Sequence, residues 1–269
     1  MLGAALAENA LYDLPLDMDF PNYPPDSSCF TEDAYHDESL DVHIESGQCR
    51  GVDYYVAYFQ VKSPTQLRTA TAGQPNENAV ALPSQIGAAK NAVLVLNGDY
   101  YIQRSRDIFV YRQGVLYRDQ PDPAKDVLII DDAGDFHIFI GENKAKELQD
   151  YQDGGGTIVN AFSFGPALIV SGEQVPFRED YHYKPRERTG RSAVAQTGPL
   201  SYAFIYCPQA TQKEVLEIAG LLNLQYAYCL DGGNSSVLIF NGEFVGGKRR
   251  STEREQSDIL YVVSAVAPH

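Results

Sequence analysis

One short stretch of the chain places a carboxylate, two glycines, an amide and two hydroxyls between two apolar runs. It covers residues 226–240, YAYCLDGGNSSVLIF, and its polar centre begins at Asp231. Apolar runs of this length beside glycine are typical of β-strands, so we expect Asp231 at the end of a strand. Gly232 and Gly233 can adopt positive φ angles and present backbone N–H groups to a ligand. The pattern indicates either a ligand-binding turn or a hairpin turn in which Asp231 and Asn234 bond to their own backbone.

A second stretch, NGDYY at residues 97–101, repeats the arrangement of a strand followed by polar groups. The apolar run at residues 92–96 predicts a buried strand, and Asn97, Asp99 and Tyr100 come directly after it. Asn-Gly is also a strong turn signal, but no matching strand follows after two residues. Because several predicted strands end in polar residues, we expect a pocket at one edge of a sheet.

Basic residues are concentrated in two short segments of an otherwise acidic chain. The net charge is −15, which argues against nucleic acid as a partner. Eight of the 21 basic residues nevertheless fall in two islands: Lys184, Arg186, Arg188 and Arg191, and then Lys248, Arg249, Arg250 and Arg254. The islands are either two solvated loops or a local positive field suited to a small anion.

Length and composition predict a folded globular protein. The chain has 269 residues, 44% of them hydrophobic, which is enough to bury a substantial core. Residues 1–49 contain eleven Asp or Glu and no Lys or Arg, and residues 1–39 are predicted to form an acidic, surface-lying arm. We expect no transmembrane segment, since no apolar stretch approaches the roughly 18 residues that a span needs. The start also lacks the pattern of a signal peptide, which we interpret as already removed.

The remainder, residues 40–269, alternates strand patterns with a few helical ones. Residues 78–89, 144–151 and 211–224 are predicted helices, the last with Thr211 and Glu214 as a capping box. Strand runs around Gln113-Gly114, residues 132–134 and Asn241-Gly242 predict hairpins. The expected fold is α+β: a single domain with a mixed, mostly antiparallel central sheet flanked by a few helices and β-hairpins.

Four cysteines leave two alternatives open. Cys29, Cys49, Cys207 and Cys229 have no CxxC spacing, so we do not expect a zinc site. Disulfides could join Cys29 to Cys49 and Cys207 to Cys229, if each pair of Cα atoms lies within about 7 Å. The alternative is four free thiols.

An ordered set of motifs resembles the phosphodiester glycosidase family over residues 40–263. The set is NGDYY, FSFGPALIVSGE, RTGRSAVA, YCLDGGNSSVLIFNGE and SDILYVV. The resemblance implies an α+β catalytic domain that releases a sugar from a sugar-1-phosphodiester similar to a GlcNAc-1-phosphodiester. It also implies an extracytoplasmic protein, since bacterial members are often cell-surface proteins linked to exopolysaccharide or wall glycopolymers. One departure is Asp99, which stands where the family more often has a second glycine.

The family chemistry suggests a role for each candidate residue. A departing phosphate needs positive charge more than a general acid, and Arg191, with Arg188 as a weaker candidate, can bind its oxygens. Asp231 is then the carboxylate that activates water or stabilises positive charge at the anomeric carbon. The remaining candidates would bind or orient the substrate: Asn97, Asp99, Tyr100, Gly232, Gly233, Asn234, Ser235 and Ser236.

Three other functions are compatible with the sequence. The chain could bind a cell-surface glycan or glycopolymer without turnover, or it could break the P–O bond instead of the C–O bond. A metal-dependent hydrolase is the third, although the histidines have no ligand spacing. We therefore expect no cofactor, with a divalent cation near Asp231 as the alternative.

Overall fold

The structure is a computed structural model that describes residues 13–75, 78–99, 108–181, 185–247 and 253–267. Within these residues the chain forms four α-helices and eighteen strands. The helices are α1 (Pro15–Asp19), α2 (Pro83–Ala89), α3 (Lys144–Asp153) and α4 (Gln212–Ala219). None of the helices among these residues is long and apolar enough to cross a membrane.

The largest sheet has eight strands and carries the residues on both sides of the candidate site. Its members are β1 (Ala34–His36), β2 (Leu40–Cys49), β3 (Val52–Val61), β11 (Ala167–Val170), β12 (Glu173–Gln174), β13 (Thr189–Gly198), β14 (Ser201–Ala210) and β15 (Tyr226–Cys229). They lie in the order β1-β2-β3-β14-β13-β15-β11-β12. Strand β13, which begins just before Arg191, is therefore the direct neighbour of β15, which ends just before Asp231.

Two five-stranded sheets complete the fold. One contains β6 (Phe109–Arg112), β7 (Val115–Asp119), β8 (Val127–Ile130), β9 (Phe136–Phe139) and β10 (Asn160–Phe162), in the order β7-β6-β10-β8-β9. The other contains β4 (Leu67–Thr71), β5 (Leu94–Asn97), β16 (Leu238–Phe240), β17 (Glu243–Phe244) and β18 (Asp258–Val262), in the order β17-β16-β5-β18-β4. Every pairing between the named strands is antiparallel. The α+β prediction is confirmed, with three sheets in place of one central sheet.

One core joins the three sheets. Val42 of the large sheet, Leu96 of the β5 sheet and Leu128 of the β8 sheet are all fully buried in the same apolar cluster. A second cluster covers the other face of the large sheet, where Val215 and Ile218 of α4 pack against it. Burial of apolar surface between sheets is the main contribution to stability in such a fold. It also fixes the ends of β5, β13 and β15 relative to one another.

The start of helix α4 was predicted correctly from the sequence, but its end was not. The predicted capping box is present: Thr211 Oγ1 accepts a hydrogen bond from Glu214 N at 3.3 Å, and Glu214 Oε2 accepts one from Thr211 N at 2.8 Å. The helix ends at Ala219, however, five residues before the predicted end at 224. Leu224 is buried after the helix has ended, so the apolar spacing beyond residue 219 reflects the packing of a connector.

The acidic N-terminal segment is anchored by a buried carboxylate. Asp17, in α1, has a side chain that is 2% exposed and lies 2.9 Å from Lys90 Nζ and 2.5 Å from the Tyr261 hydroxyl. Burial opposes ionisation of Asp17, but the Tyr261 hydrogen bond and the Lys90 charge outweigh it and lower its pKa. The part of the arm around Asp17 is thus held against the folded body, while the boundary at residue 40 stays a prediction.

Candidate active site

Asp231 lies at the junction of two sheets. Strand β15 ends at Cys229, and the next residue, Leu230, donates its N–H to Ser192 O of β13 at 2.9 Å. Asp231 N then donates to Gly98 O, directly after β5, at 3.2 Å. Asp231 is therefore held from both sides by backbone, and the residue is partly exposed.

Asn97 fixes the turn that contains Asp231. Its side chain is completely buried, and Nδ2 donates to Asp231 O at 2.9 Å. Its Oδ1 accepts from Val237 N, on the far side of the same turn, at 3.1 Å. The sequence predicted that Asn97 contacts the substrate. In the structure its buried amide bonds to the backbone at Asp231 and Val237 and so positions Asp231.

The two glycines shape the turn in different ways. Gly233 has a φ of 69°, a left-handed conformation that strongly favours glycine, and opens a 3₁₀ turn, Gly233–Ser235. Gly232 N donates to Asp231 Oδ1 at 2.9 Å. The sequence predicted that this N–H contacts a ligand, but in the structure it binds the Asp231 carboxylate. Within the described residues the Gly233 N–H makes no backbone hydrogen bond, and its predicted contact with a ligand stays a prediction.

The three polar residues after the glycines differ in exposure. Asn234 is exposed, whereas Ser235 and Ser236 are completely buried. Ser236 Oγ donates to Asp231 O at 3.4 Å, and Ser235 Oγ has no hydrogen-bond partner in the described part of the chain. Of these three predicted substrate contacts, Asn234 is the one that solvent reaches.

Arg191 stands beside this turn. Strand β13 approaches so closely that a Cβ atom at Gly190 would lie 2.6 Å from Gly233 O, which requires glycine at position 190. A Cβ atom at Gly232 would lie 3.5 Å from Arg191 Nη1. The structure therefore brings the two predicted catalytic residues, Arg191 and Asp231, to one edge of the large sheet.

Backbone carbonyls orient the Arg191 guanidinium. Nε donates to Ala210 O and Nη2 donates to Glu187 O, each at 3.2 Å. Burial is the largest influence on the pKa of Arg191 and lowers it, while nearby groups that include Asp231 oppose the fall. Arginine stays protonated in proteins, so the site holds a fixed, partly desolvated cation next to the turn.

The other arginines of the first island are engaged in ion pairs. Arg188, whose side chain is half exposed, pairs with Glu214 of α4, and Arg186 pairs with Glu179. The structure does not bring Arg188 to Asp231 through any contact among the described residues. Several predicted positions lie outside the described residues: Tyr100, Lys184, Lys248, Arg249 and Arg250.

A buried ion-pair triad lies under the site, and sequence reasoning missed its central member. Arg112 Nη2 lies 2.9 Å from Asp99 Oδ1 and 2.7 Å from Asp258 Oδ2, and all three side chains are completely buried. The Arg112 guanidinium also stacks on Phe162, 4.4 Å from the ring centroid. The sequence predicted Asp99 as a substrate contact, but its carboxylate is used to pair with Arg112.

The triad supports the backbone that holds Asp231. A Cβ atom at Gly98 would lie 2.3 Å from Asp258 Cγ, so Gly98 packs directly on this carboxylate. Gly98 N donates to Asp258 O at 3.1 Å, and Gly98 O accepts from Asp231 N. Asp99 and Asp258 lie next to predicted strands, and two such carboxylates are stabilised by a nearby cation. That was the only sequence signal that could have indicated Arg112.

Arg112→Leu is expected to lower the free energy of unfolding by about 3–5 kcal/mol, because it leaves two buried carboxylates without their shared cation. Urea denaturation followed by circular dichroism measures the change. Arg50→Leu is the control: Arg50 forms an exposed pair with Glu217, so its loss should cost no more than about 1 kcal/mol. Equal losses in the two variants would contradict a stabilising role for the triad.

Each of the four cysteines is a free thiol. Cys207 of β14 pairs with Arg191 of β13, and Cys229 of β15 pairs with Ala193 on the other side of β13. Because neighbouring strands lie about 4.8 Å apart, two strands separated by a third are too distant for a disulfide. The free-thiol alternative is the one that the structure contains.

Cys207 and Cys229 are expected to resist thiol reagents in the folded protein. Burial raises the pKa of Cys207 to about 12 and that of Cys229 to about 11, so almost no thiolate forms near neutral pH. Titration with Ellman's reagent at pH 8 should label at most the part-exposed Cys29 and Cys49, and all four thiols after unfolding. Rapid labelling of more than two thiols in the native protein would contradict this burial.

Among the described residues, no group of three or more His, Cys, Asp or Glu side chains is arranged to hold a metal ion. The expectation that no cofactor is needed stays a prediction.

A sequence model of the phosphodiester glycosidase family matches residues 90–263, well over half of the chain. The chain belongs to the phosphodiester glycosidase family, as the motifs predicted. No curated protein sequence matches it.

Two solved structures are similar in fold. The catalytic domain of zebrafish N-acetylglucosamine-1-phosphodiester alpha-N-acetylglucosaminidase, solved in a form auto-inhibited by its pro-peptide, is 16% identical with a TM-score of 0.64, and the alignment covers 87% of each chain. A hypothetical protein from Synechocystis is 14% identical with a TM-score of 0.66, and the alignment covers 84% of this chain. The chain spans 62% of the length of the Synechocystis protein. At these identities the likeness establishes the fold.

Proposed function

We propose that the chain is a hydrolase that cleaves the glycosidic C–O bond of a sugar-1-phosphodiester and releases free sugar and a phosphomonoester. The observation that supports this most is the position of Arg191 Nη1, 3.5 Å from where a Cβ atom of Gly232 would lie. A fixed cation therefore adjoins the turn that carries a part-exposed aspartate. This pairing suits a substrate with a phosphate on one side of the scissile bond and a sugar on the other.

The leaving group explains why one carboxylate can suffice. Ordinary glycosides need a carboxylic acid to protonate the departing oxygen and a second carboxylate to act as base or nucleophile. A phosphomonoester has a second pKa of about 6, so it can depart with little help from a general acid. Its negative charge is stabilised instead by the Arg191 guanidinium, which binds phosphate oxygens.

In the proposed reaction a water oxygen forms a bond to the anomeric carbon. The bond between that carbon and the phosphate oxygen breaks, and its electron pair stays on the phosphate. Asp231 accepts the proton that the water loses, or it stabilises the positive charge that develops at the carbon while the departing phosphate accepts that proton. The Gly233 N–H and the exposed Asn234 are the candidate contacts of the sugar or phosphate, and Arg188 and Tyr100 stay predicted contacts.

The proposed sugar is N-acetylglucosamine or a close analogue. The support is the name of the zebrafish relative, which specifies this sugar on a phosphodiester. The group beyond the phosphate is proposed to be part of a cell-surface glycopolymer, which requires an extracytoplasmic location. Fractionation of cells that express the natural protein tests this location, and recovery in the cytoplasm would contradict it.

A screen for release of free sugar tests the activity. The purified chain is incubated with UDP-GlcNAc and with GlcNAc-1-phosphate methyl ester, alongside their glucose and galactose counterparts. The expected result is release of free GlcNAc, together with UDP from the first substrate and methyl phosphate from the second. Binding of these compounds without any product would contradict hydrolysis and favour a glycan-binding protein.

A further inference from the structure

A groove at the far end of the large sheet is separate from the candidate active site. It has a volume of about 310 Å³, and its lining includes Asp41, His43, Tyr58, Gln60, Thr197 and Ser201. Thr197 lies six residues beyond Arg191 along β13, which corresponds to about 20 Å at the rise of an antiparallel strand. The groove is therefore distinct from the candidate active site at Asp231.

The floor of the groove has an aromatic row beside a polar row. His43 of β2 faces Tyr58 of β3, and their rings stack with centroids 5.2 Å apart and planes 22° apart. Across from Tyr58, on β14, is Ala203, which is fully buried in the apolar cluster on which the part-exposed Tyr58 packs. The next row runs from Asp41 through Gln60 to Ser201, which are paired neighbours on β2, β3 and β14.

This combination matches the surface of a sugar ring. A pyranose has apolar C–H faces that pack on an aromatic ring and a rim of hydroxyls that need hydrogen-bond partners. Gln60, Ser201 and Thr197 supply an amide and two hydroxyls, and all three are at least partly exposed. Burial is the main cause that raises the pKa of Tyr58, with the Glu45 charge adding to it, so its hydroxyl stays protonated and can donate.

The charges around the groove select against an anionic ligand. Its lining contains the Asp41 carboxylate and, among the described residues, no lysine or arginine. Glu45 lies 3.6 Å from His43 Nε2 and adds a second carboxylate near the aromatic row. A phosphate or uronic acid would be repelled here, whereas it would be attracted to Arg191.

We propose that this groove is an accessory binding site for an uncharged sugar unit of a glycan chain. Its volume is at the lower end of the range for small-molecule sites, which suits one ring with its neighbours left in solvent. If the proposed function is correct, the groove would hold a polymer by one unit and raise the local concentration of its other units at Arg191. This last role rests on the proposed function, but sugar binding at the groove does not.

Binding of uncharged trisaccharides tests the proposal without turnover. Wild type and Tyr58→Ala are titrated with triacetylchitotriose and with cellotriose by isothermal calorimetry or by protein NMR. Tyr54→Ala is the matched control, because Tyr54 lies on the same face of β3, opposite Gly47 and outside the groove. The expected result is that at least one trisaccharide binds, that Tyr58→Ala weakens it about tenfold, and that Tyr54→Ala does not.

Two results would overturn the accessory site. One is no binding of either trisaccharide to wild type at about 10 mM, and the other is equal binding to wild type and Tyr58→Ala. The Asp231→Asn variant should bind these trisaccharides like wild type, and Tyr58→Ala should hydrolyse a short sugar-1-phosphodiester like wild type. Failure of the proposed enzyme function would therefore leave the binding result intact, and the reverse also holds.

Discussion

Replacing Asp231 with asparagine is expected to reduce hydrolysis of a GlcNAc-1-phosphodiester by roughly 100- to 10,000-fold, the range for loss of a positioned acid or base. Asparagine retains an oxygen that can accept the 2.9 Å hydrogen bond from Gly232 N, so the turn should keep its shape. The backbone bonds of residue 231 to Gly98 and Asn97 do not depend on the side chain. The substitution removes the negative charge and leaves the framework in place.

The control for Asp231→Asn is the same substitution at a carboxylate outside the candidate active site. Asp53 is exposed and bonds to Gln48 Nε2 at 2.9 Å, so Asp53→Asn is a suitable control. Circular dichroism and thermal unfolding should be the same for both variants and wild type, and initial rates of sugar release should fall for Asp231→Asn alone. Turnover near the wild-type rate in Asp231→Asn would remove the assignment of this residue.

Replacing Arg191 with alanine is expected to reduce the rate about 100- to 1,000-fold, which is the usual cost of removing one transition-state charge contact. The loss should appear mainly in kcat, because the phosphate gains negative charge as the C–O bond breaks. The carbonyl of the buried Ala210 loses a donor, whereas the carbonyl of the exposed Glu187 can bond to water instead, so we also expect a loss of stability of about 1–3 kcal/mol.

Two further variants separate charge from position. Arg191→Lys keeps a cation but cannot donate to both carbonyls while reaching the turn, so it should recover a minor part of the rate. Arg186→Ala is the matched control, since Arg186 belongs to the same basic island but forms an exposed pair with Glu179. Steady-state kinetics on the same substrate should be unchanged in the control. A normal kcat in Arg191→Ala would contradict the proposed stabilisation of the leaving phosphate.

Local sequence signals predicted the elements around the site well. The Thr211 and Glu214 capping box starts α4, and the hairpin turns at Gln113-Gly114 and Asn241-Gly242 adopt the positive φ angles that such turns require. A capping box and a hairpin turn each depend on a few residues adjacent in the chain, so they can be predicted from the local sequence. The end of α4 was wrong because apolar spacing does not distinguish a helix from a buried connector.

The roles inside the site were harder to predict, because they depend on which strand ends meet. Asn97 ends β5 and Asp99 follows it closely, as the strand pattern predicted, yet both residues are buried and bond to protein groups. Arg112 lies 146 residues from Asp258, and no local pattern indicates that the two side chains form an ion pair. Substrate contact and structural support both use polar residues at strand ends, and burial is what distinguishes them.

The position of the bond that breaks tests the central claim most directly. The sugar-1-phosphodiester that is hydrolysed fastest is incubated with the enzyme in water enriched in ¹⁸O, and the masses of both products are measured by mass spectrometry. Attack at the anomeric carbon predicts one ¹⁸O atom in the released sugar and none in the phosphomonoester. Label in the phosphomonoester, whose oxygens do not exchange with water, would show that the P–O bond breaks and would contradict a glycosidase built on Asp231 and Arg191.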